Sequence, residues 1–290
     1  MANLATVMPM TPTIHPTTAQ LANYPVLEAC RRLAQEHQEA FGPTSMDYLQ
    51  LCPQTPSVMT ETLLEELQTE FPHTRFQLHA NVRVQPGLLI FDASSYSAST
   101  HWYFERLAEL SKFLNAPAYS LHSGRRKNCS MNQLFRNVEA IQTLFEMPVV
   151  LEGMYPTQND HQVWLVSSWK EYQMVMSSGL FYAIDLSHLN IVASTEGERP
   201  EQVYELIRHP NCLEVHLSHN NGKHDRHRPI NDTIWNNLWW KAPWLEGLKA
   251  RQKQPLHFTE GLYQTRSHRH NLSTTSQRKH HVQRSRTTQL

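Results

Sequence analysis

The 290-residue chain has only four cysteines, Cys30, Cys52, Cys129 and Cys212, and no two of them form a C-x-x-C pair. That excludes a zinc ribbon or a thioredoxin-like motif and leaves reduced, mostly buried thiols as the expectation. No apolar run approaches the roughly 20 residues that a helix needs to span a bilayer. The N-terminus has no basic segment leading into a continuous apolar stretch, so neither secretion nor a membrane anchor is expected and the cytoplasm is the default compartment. No glycine-rich phosphate turn follows any apolar run, which argues against an open dinucleotide-binding sheet. An obvious catalytic lysine or serine triad is also missing. Acid is lacking in one region: residues 266–290 carry Arg266, Arg269, Arg278, Lys279, Arg284 and Arg286 but neither Asp nor Glu. The formal charge balance of zero therefore conceals a basic tail and a mildly acidic body with 20 basic against 26 acidic side chains.

Histidine is plentiful, at 18 residues, and its placement is ordered. Six short apolar runs each finish on a side chain that can hold a metal. They are Arg-Phe-Gln-Leu-His79, Ala-Tyr-Ser-Leu-His122, Pro-Val-Val-Leu-Glu152, Leu-Phe-Tyr-Ala-Ile-Asp185, Cys-Leu-Glu-Val-His216 and Pro-Leu-His-Phe-Thr-Glu260. His188 follows Asp185 by three residues, and Asp225 and His227 lie in the loop after His216. Short apolar runs bounded by turn or helix signals read as buried parallel strands. Closing a buried strand on a carboxylate or imidazole is costly without a partner, so one case could be a hydrogen-bonded core group. Six in series point to a shared site.

Between these runs the chain alternates regularly. Helices are predicted over 24–40, 61–70, 102–114, 132–145, 168–176, 201–208 and 232–240, with strands over 46–51 and up to each of the six residues named above. Ala5 to Met10 supply a weak first strand. Strand and helix repeating in this order imply a parallel sheet with right-handed crossovers, and eight strands imply an α/β fold closed as a (β/α)8 TIM barrel. Such a barrel gathers its functional residues at the carboxyl ends of its strands, where this series lies. The expected organisation is a flexible segment 1–20 containing the first strand, a metal-binding barrel over 21–265 and a disordered, basic His/Arg/Thr-rich tail over 266–290. The tail reads as a solvated segment rather than a nucleic-acid contact.

The candidate ligands are His79, His122, Glu152, Asp185, His188, His216, Asp225, His227 and Glu260. Oxygen and imidazole donors without thiolate suit iron, manganese or zinc. Nine donors exceed the needs of one ion and fit two or three ions about 3.5–4 Å apart, with Glu152 and Glu260 as candidate bridges. Asp185-Leu-Ser-His188 and Asp225-Arg-His227 would each be a surface pair if met alone; beside the other ligands they read as part of the site. His219 and His224 read as exposed loop histidines, and Trp235 and Trp239, one helical turn apart, as a face packed on the barrel.

The order and spacing of these motifs resemble the xylose isomerase-like barrels, which include endonuclease IV, sugar isomerases and epimerases, and the multinuclear non-heme iron-dependent oxidative enzymes of the methanobactin-biosynthesis type. The chain is most similar to the last of these over Asp47 to Tyr263, through Asp47-Tyr-Leu-Gln-Leu, Leu-His79, Ser-Leu-His122, Arg136-Asn137-Val138, Val-Leu-Glu152, Ile-Asp185, Glu214-Val-His216-Leu, His227 with Asn231-Asp232-Thr-Ile-Trp235, and Thr-Glu260. The resemblance implies two or three metal ions, iron favoured, and dioxygen-dependent modification of a residue, often cysteine, in a ribosomally made precursor peptide delivered by a partner protein. It also implies that His79, His122 and Glu152 serve one ion, Asp185, His216 and Glu260 another, and His188, Asp225 and His227 the remainder. Glu152-Gly153 and Asp185-Leu-Ser-His188 depart from that pattern, and the latter, with Asp225-Arg-His227, has the form found in endonuclease IV. The alternatives are a zinc- or manganese-dependent phosphodiesterase, a sugar isomerase or epimerase, and a non-catalytic metal-binding barrel. The acidic body makes nucleic acid an unlikely partner on this reading.

Overall fold

The computed structural model describes residues 12–35, 44–53, 57–87, 90–160 and 163–261. Eight strands and nine α-helices follow one another in the order β1 (Ile14–Pro16), α1 (Val26–Gln35), β2 (Tyr48–Leu51), α2 (Glu61–Glu70), β3 (Arg75–Leu78), α3 (His101–Phe113), β4 (Tyr119–His122), α4 (Met131–Gln142), β5 (Val149–Glu152), α5 (Trp169–Ser177), β6 (Tyr182–Asp185), α6 (Leu186–Glu196), α7 (Pro200–Arg208), β7 (Cys212–Leu217), α8 (Asp232–Asn236), α9 (Lys241–Lys249) and β8 (Leu256–Thr259). Among the described residues these strands all pair in parallel. Six strands form a sheet in the order β1-β8-β7-β6-β5-β4, and β2 pairs with β3. β3 lies beside β4 and β1 beside β2, where Thr17 bridges to Gln50, so the ring closes as a (β/α)8 TIM barrel.

Local signals start the helices where the packing needs them. Thr60, Ser130 and Ser168 accept hydrogen bonds from the backbone of the first turns of α2, α4 and α5. Such caps contribute about 1 kcal/mol each. Pro200 opens α7, where its missing N–H costs nothing. The outward side chains of the strands, including Leu49, Leu51, Phe76, Leu78, Leu121, Leu151 and Ile184, are fully or almost fully buried in the layer shared with the helices. A small separate cluster of Ala118, Val150 and Ala183 lies on the opposite strand face, inside the barrel. Since strand side chains alternate, Ser120 and His122, Glu152, Asp185, and Glu214 and His216 share that inward face.

Three sequence expectations change. The strand placed in 5–10 lies outside the described residues; the strand that pairs with β8 is Ile14–Pro16, followed by a 3-10 turn at Thr18–Leu21 that is largely buried. Residues 14–21 are thus part of the barrel wall. Helix α6 was not foreseen. Its buried residues, Leu186, Ser187, His188, Leu189, Ile191, Val192 and Ala193, encircle much of the helix, leaving no polar stripe for periodicity to detect. The helix expected over 232–240 is a short α8 followed by a separate α9. Trp235 and Trp239 are half-buried against the core and no longer share one helix, whereas Trp240 and Trp244 are fully buried and Trp244 Nε1 donates to His257 Nε2 at 3.3 Å. The proposed tail over 266–290 lies outside the described residues.

Candidate metal centre

The nine candidate ligands form one network at the carboxyl end of the barrel. Glu152, at the end of β5, is its hub. Its Oε2 stands 3.0 Å from His79 Nε2, 3.7 Å from His122 Nε2 and 3.4 Å from His216 Nδ1, and its Oε1 is 3.6 Å from His188 Nδ1. Glu260, just beyond β8, reaches His216 Nδ1 at 3.5 Å and His227 Nδ1 at 3.3 Å. His188 Nε2 lies between Asp185 Oδ2 at 3.5 Å and Asp225 Oδ2 at 3.2 Å, and Asp225 Oδ2 also meets His227 Nε2 at 3.0 Å. Three sets have donor atoms within 4.8 Å of one another: His79, Glu152 and His216; Glu152, Asp185 and His188; and Asp185, His216 and Glu260. The last is one of the sets expected from the resemblance. The first takes His216 in place of His122, and Glu152 enters two of the three. His122 and His227 are the most open members, with side chains 24% and 34% exposed.

Asp185 has two tasks. One oxygen caps α6, accepting from the backbone N–H of Ser187 and His188, while Oδ2 is buried with no hydrogen bond. His188 is therefore in the first turn of a helix begun by its own partner. The loop after β7 brings Asp225 and His227 over the mouth, and His227 takes a left-handed backbone at φ 41°. For a residue with a Cβ that conformation costs about 1–3 kcal/mol and is held only by its surroundings.

The electrostatics call for positive charge at the centre. Burial opposes ionisation of Glu152, Glu260 and Asp225, yet the neighbouring histidines outweigh it: Glu152 and Asp225 fall well below the usual carboxylate range and Glu260 falls to about 2. Asp185 is raised, mainly by burial. Burial works against charge on the histidines too, but the carboxylates lift His216 well above its ordinary value, His188 to about 10 and His227 to about 12. Only His122 moves the other way, to about 4, because burial dominates there.

Hydrogen bonds on the far sides of two rings decide which nitrogens face inward. His188 Nδ1 lies 2.8 Å from the carbonyl of Gly153, which can only accept, so Nδ1 keeps its proton and the neutral ring would offer its Nε2 lone pair toward Asp185 and Asp225. His216 Nε2 lies 3.3 Å from Glu214 and donates to it, so once the ring is neutral its Nδ1 lone pair faces Glu152 and Glu260. Lone pairs converging on carboxylate oxygens are repulsive unless protons or cations lie between them. Buried, unpartnered and oriented donors of oxygen and nitrogen are what divalent ions require. The residues fit such ions.

Several residues of the site were not singled out by their sequence. Glu214, Gln50, Gln77 and Ser120 form a buried layer beneath the cluster. The Asn81 amide lies 3.3 Å from the other nitrogen of the His122 ring, and Tyr155 packs on His188 with ring centroids 4.7 Å apart. An inward carboxylate two residues before His216 was the available signal for Glu214; nothing local marks Asn81 or Tyr155. His219 lies apart, its backbone paired with Arg228.

The charge around the mouth differs from that of the body. The loops following the strands carry Arg83, Arg125, Arg126, Lys127, Lys223, Arg226 and Arg228, against Asp92 and Asp160 beyond the acids of the cluster. Arg126 is held by Glu171, at 2.8 Å, but Arg125, Lys127, Lys223, Arg226 and Arg228 are exposed. The excess of acid in residues 1–265 lies elsewhere.

No family model matches the chain, and neither does a curated protein. Solved structures do. A D-tagatose 3-epimerase-like protein superposes with a TM-score of 0.63 at 14% identity, over 91% of this chain and 96% of that one. An AP endonuclease of family 2 from Brucella melitensis gives 0.59 at 11% identity, over 92% and 99%. A xylose isomerase domain containing protein from Salmonella typhimurium gives 0.55 at 10% identity, over 87% and 89%. The fold is the TIM barrel that these structures share. Within that fold the nine residues occupy the carboxyl face of the strands, where TIM-barrel enzymes do their chemistry. None of the three neighbours is described as an oxidase, which leaves iron-dependent oxidation of a precursor peptide without support from them. Among the described residues no helix is long and apolar enough to cross a membrane.

Proposed function

We propose that the chain is a metal-dependent hydrolase of phosphate esters. The observation that carries this reading is the single network of nine oxygen and nitrogen donors, more than one ion can use, set in a mouth edged by five exposed cations. His79, Glu152 and His216, then Glu152, Asp185 and His188, then Asp185, His216 and Glu260 would hold the ions, with His122, Asp225 and His227 beside them. Bound divalent ions supply Lewis-acid polarisation of a phosphoryl oxygen and lower the pKa of water. The protein's own part is positional. Burial keeps Glu152, Asp185, Glu214 and His216 fixed, while Arg125, Lys127, Lys223, Arg226 and Arg228 draw an anion toward the mouth. The likeness to an AP endonuclease fold supports the same reading.

A second reading, sugar epimerisation, is favoured by the set Glu152, Asp185, His216 and Glu260 on four consecutive strand ends and by the likeness to an epimerase-like fold. Four donors suffice for one ion, but that arrangement gives no task to His188, Asp225 and His227. One comparison separates the two readings. Protein loaded with zinc or manganese should hydrolyse bis(p-nitrophenyl) phosphate, lose this activity on chelation and on Glu152→Gln, and slow as salt rises. Epimerisation of a ketohexose without phosphoester hydrolysis would reverse the order, and oxygen uptake by iron-loaded protein would reject both.

A further inference from the structure

We infer that Glu214 is a positioning residue of the metal centre: it fixes the tautomer of His216 from beneath, and Gln50, Gln77 and Ser120 hold its carboxylate in place. The inference rests on the reading of His216 as a metal ligand and assigns a task to a layer of the barrel that this reading leaves unused.

Glu214 is completely buried on β7, one inward position below His216. Its Oε1 accepts from Gln77 Nε2 at 2.6 Å, and its Oε2 accepts from Gln50 Nε2 at 3.2 Å, Ser120 Oγ at 2.5 Å and His216 Nε2 at 3.3 Å. The four donors come from β2, β3, β4 and β7, so the carboxylate ties together strands from opposite sides of the ring. No Lys or Arg is among these partners. Gln50 and Gln77 turn their N–H groups to Glu214 and leave their own Oε1 atoms buried without a partner. Each such oxygen forgoes a hydrogen bond, so the arrangement favours the carboxylate over the amides' own satisfaction.

The consequence lies on the upper side of the imidazole. A neutral histidine has one N–H and one lone pair. With Glu152 and Glu260 3.4 and 3.5 Å from Nδ1, an isolated ring would place its proton there, toward two acceptors, and that proton would occupy the position of an ion. Glu214 competes from below: a proton on Nδ1 would set the Nε2 lone pair against a carboxylate oxygen. Because Glu214 holds the proton on Nε2, Nδ1 stays free to ligate. Hydrogen-bonded carboxylates behind metal-bound histidines typically change metal affinity 10- to 100-fold when removed.

Two variants and two readouts test this. Glu214→Gln preserves shape, and Ser120→Ala removes one support of the carboxylate. Long-range proton–nitrogen spectra of metal-free protein, above the pH at which the ring loses its extra proton, should give the Nε2–H form of His216 in the wild type. Glu214→Gln should give a mixture with the Nδ1–H form, and the affinity for Zn2+ should fall about 10- to 100-fold. Ser120→Ala should shift both measurements less and in the same direction, which keeps the test open if Glu214→Gln does not fold. An Nδ1–H tautomer in the wild type, or a folded Glu214→Gln protein whose Zn2+ affinity changes less than twofold, overturns the inference. A wild type that binds no metal would reject the metal reading, while the tautomer still reports on Glu214.

Discussion

Loading the centre with metal should expel protons, and their number can be worked out from the side chains. In the metal-free protein His188 is held at about 10, His227 at about 12 and His216 well above its ordinary value, so all three are charged at pH 7. His122, at about 4, is already neutral, and Glu152, Glu260 and Asp225 are already ionised. Metal ligation needs neutral imidazole, so filling the site at pH 7 should release about three protons per chain, and one more from any fraction of Asp185 that is protonated. Each released proton makes binding about tenfold tighter per pH unit, so the overall loading constant should rise about a thousandfold from pH 7 to 8. For His188, deprotonation three units below its pKa costs about 4 kcal/mol, which binding must exceed. The assay is isothermal titration with Zn2+ in buffers of different ionisation enthalpy, where the slope gives the proton count. Absence of proton release at pH 7, or release confined to pH below 5, would refute the charge assignment and with it the idea that protons stand in for cations.

Two further outcomes follow from the same geometry. In the metal-free protein the raised histidines contribute stability that is complete below their unfolded pKa near 6.5 and is lost as pH climbs through about 10 for His188, while Glu260 contributes stability present above about 4.5 and lost as pH falls through about 2. Melting of chelated protein should therefore be highest between about pH 4.5 and 6.5 and decline toward pH 10, and a rise over that alkaline range would contradict the assignment. The second outcome concerns Gly153, where a Cβ would press into the ring of Tyr172 and whose carbonyl holds His188. Overpacking of this kind costs about 1–3 kcal/mol, so Gly153→Ala should melt about 2–12 °C lower than wild type and bind metal more weakly, as thermal and Zn2+ titrations would register.

The series of ligands was legible because two constraints coincide at each strand end. A short apolar run must be buried, and a charged residue closing it must have a partner, so His79, His122, Glu152, Asp185, His216 and Glu260 implied one another before any contact was known. The same reasoning failed at α6. Asp185 ends a strand and caps a helix at the same residue, with no turn sequence between, and the helix that follows is buried on most sides. Without a loop signal or an amphipathic stripe, nothing in the local sequence marks His188 as helical. Net charge is uninformative about the mouth for a different reason: summing along the chain mixes the helices' outer faces with the mouth loops, which expose Arg125, Lys127, Lys223, Arg226 and Arg228.

The interior layer shows how far strand pattern can be taken. Tyr-Leu-Gln50-Leu, Arg-Phe-Gln77-Leu and Tyr-Ser120-Leu-His each place a polar residue at mid-strand, and Cys-Leu-Glu214-Val-His places a carboxylate there. In a parallel strand buried on both faces, each of these should be as suspect as a histidine at the end. Taken one at a time they pass as isolated hydrogen-bonded groups, because no single strand contains both donor and acceptor. Closure of the ring supplies what the strands lack: it brings three uncharged donors from β2, β3 and β4 to one carboxylate on β7, which in turn orients His216. The depth of the centre therefore extends one layer below its ligands. A substitution in that layer should disturb metal binding before it disturbs folding, since the outward faces of the same strands carry the hydrophobic core.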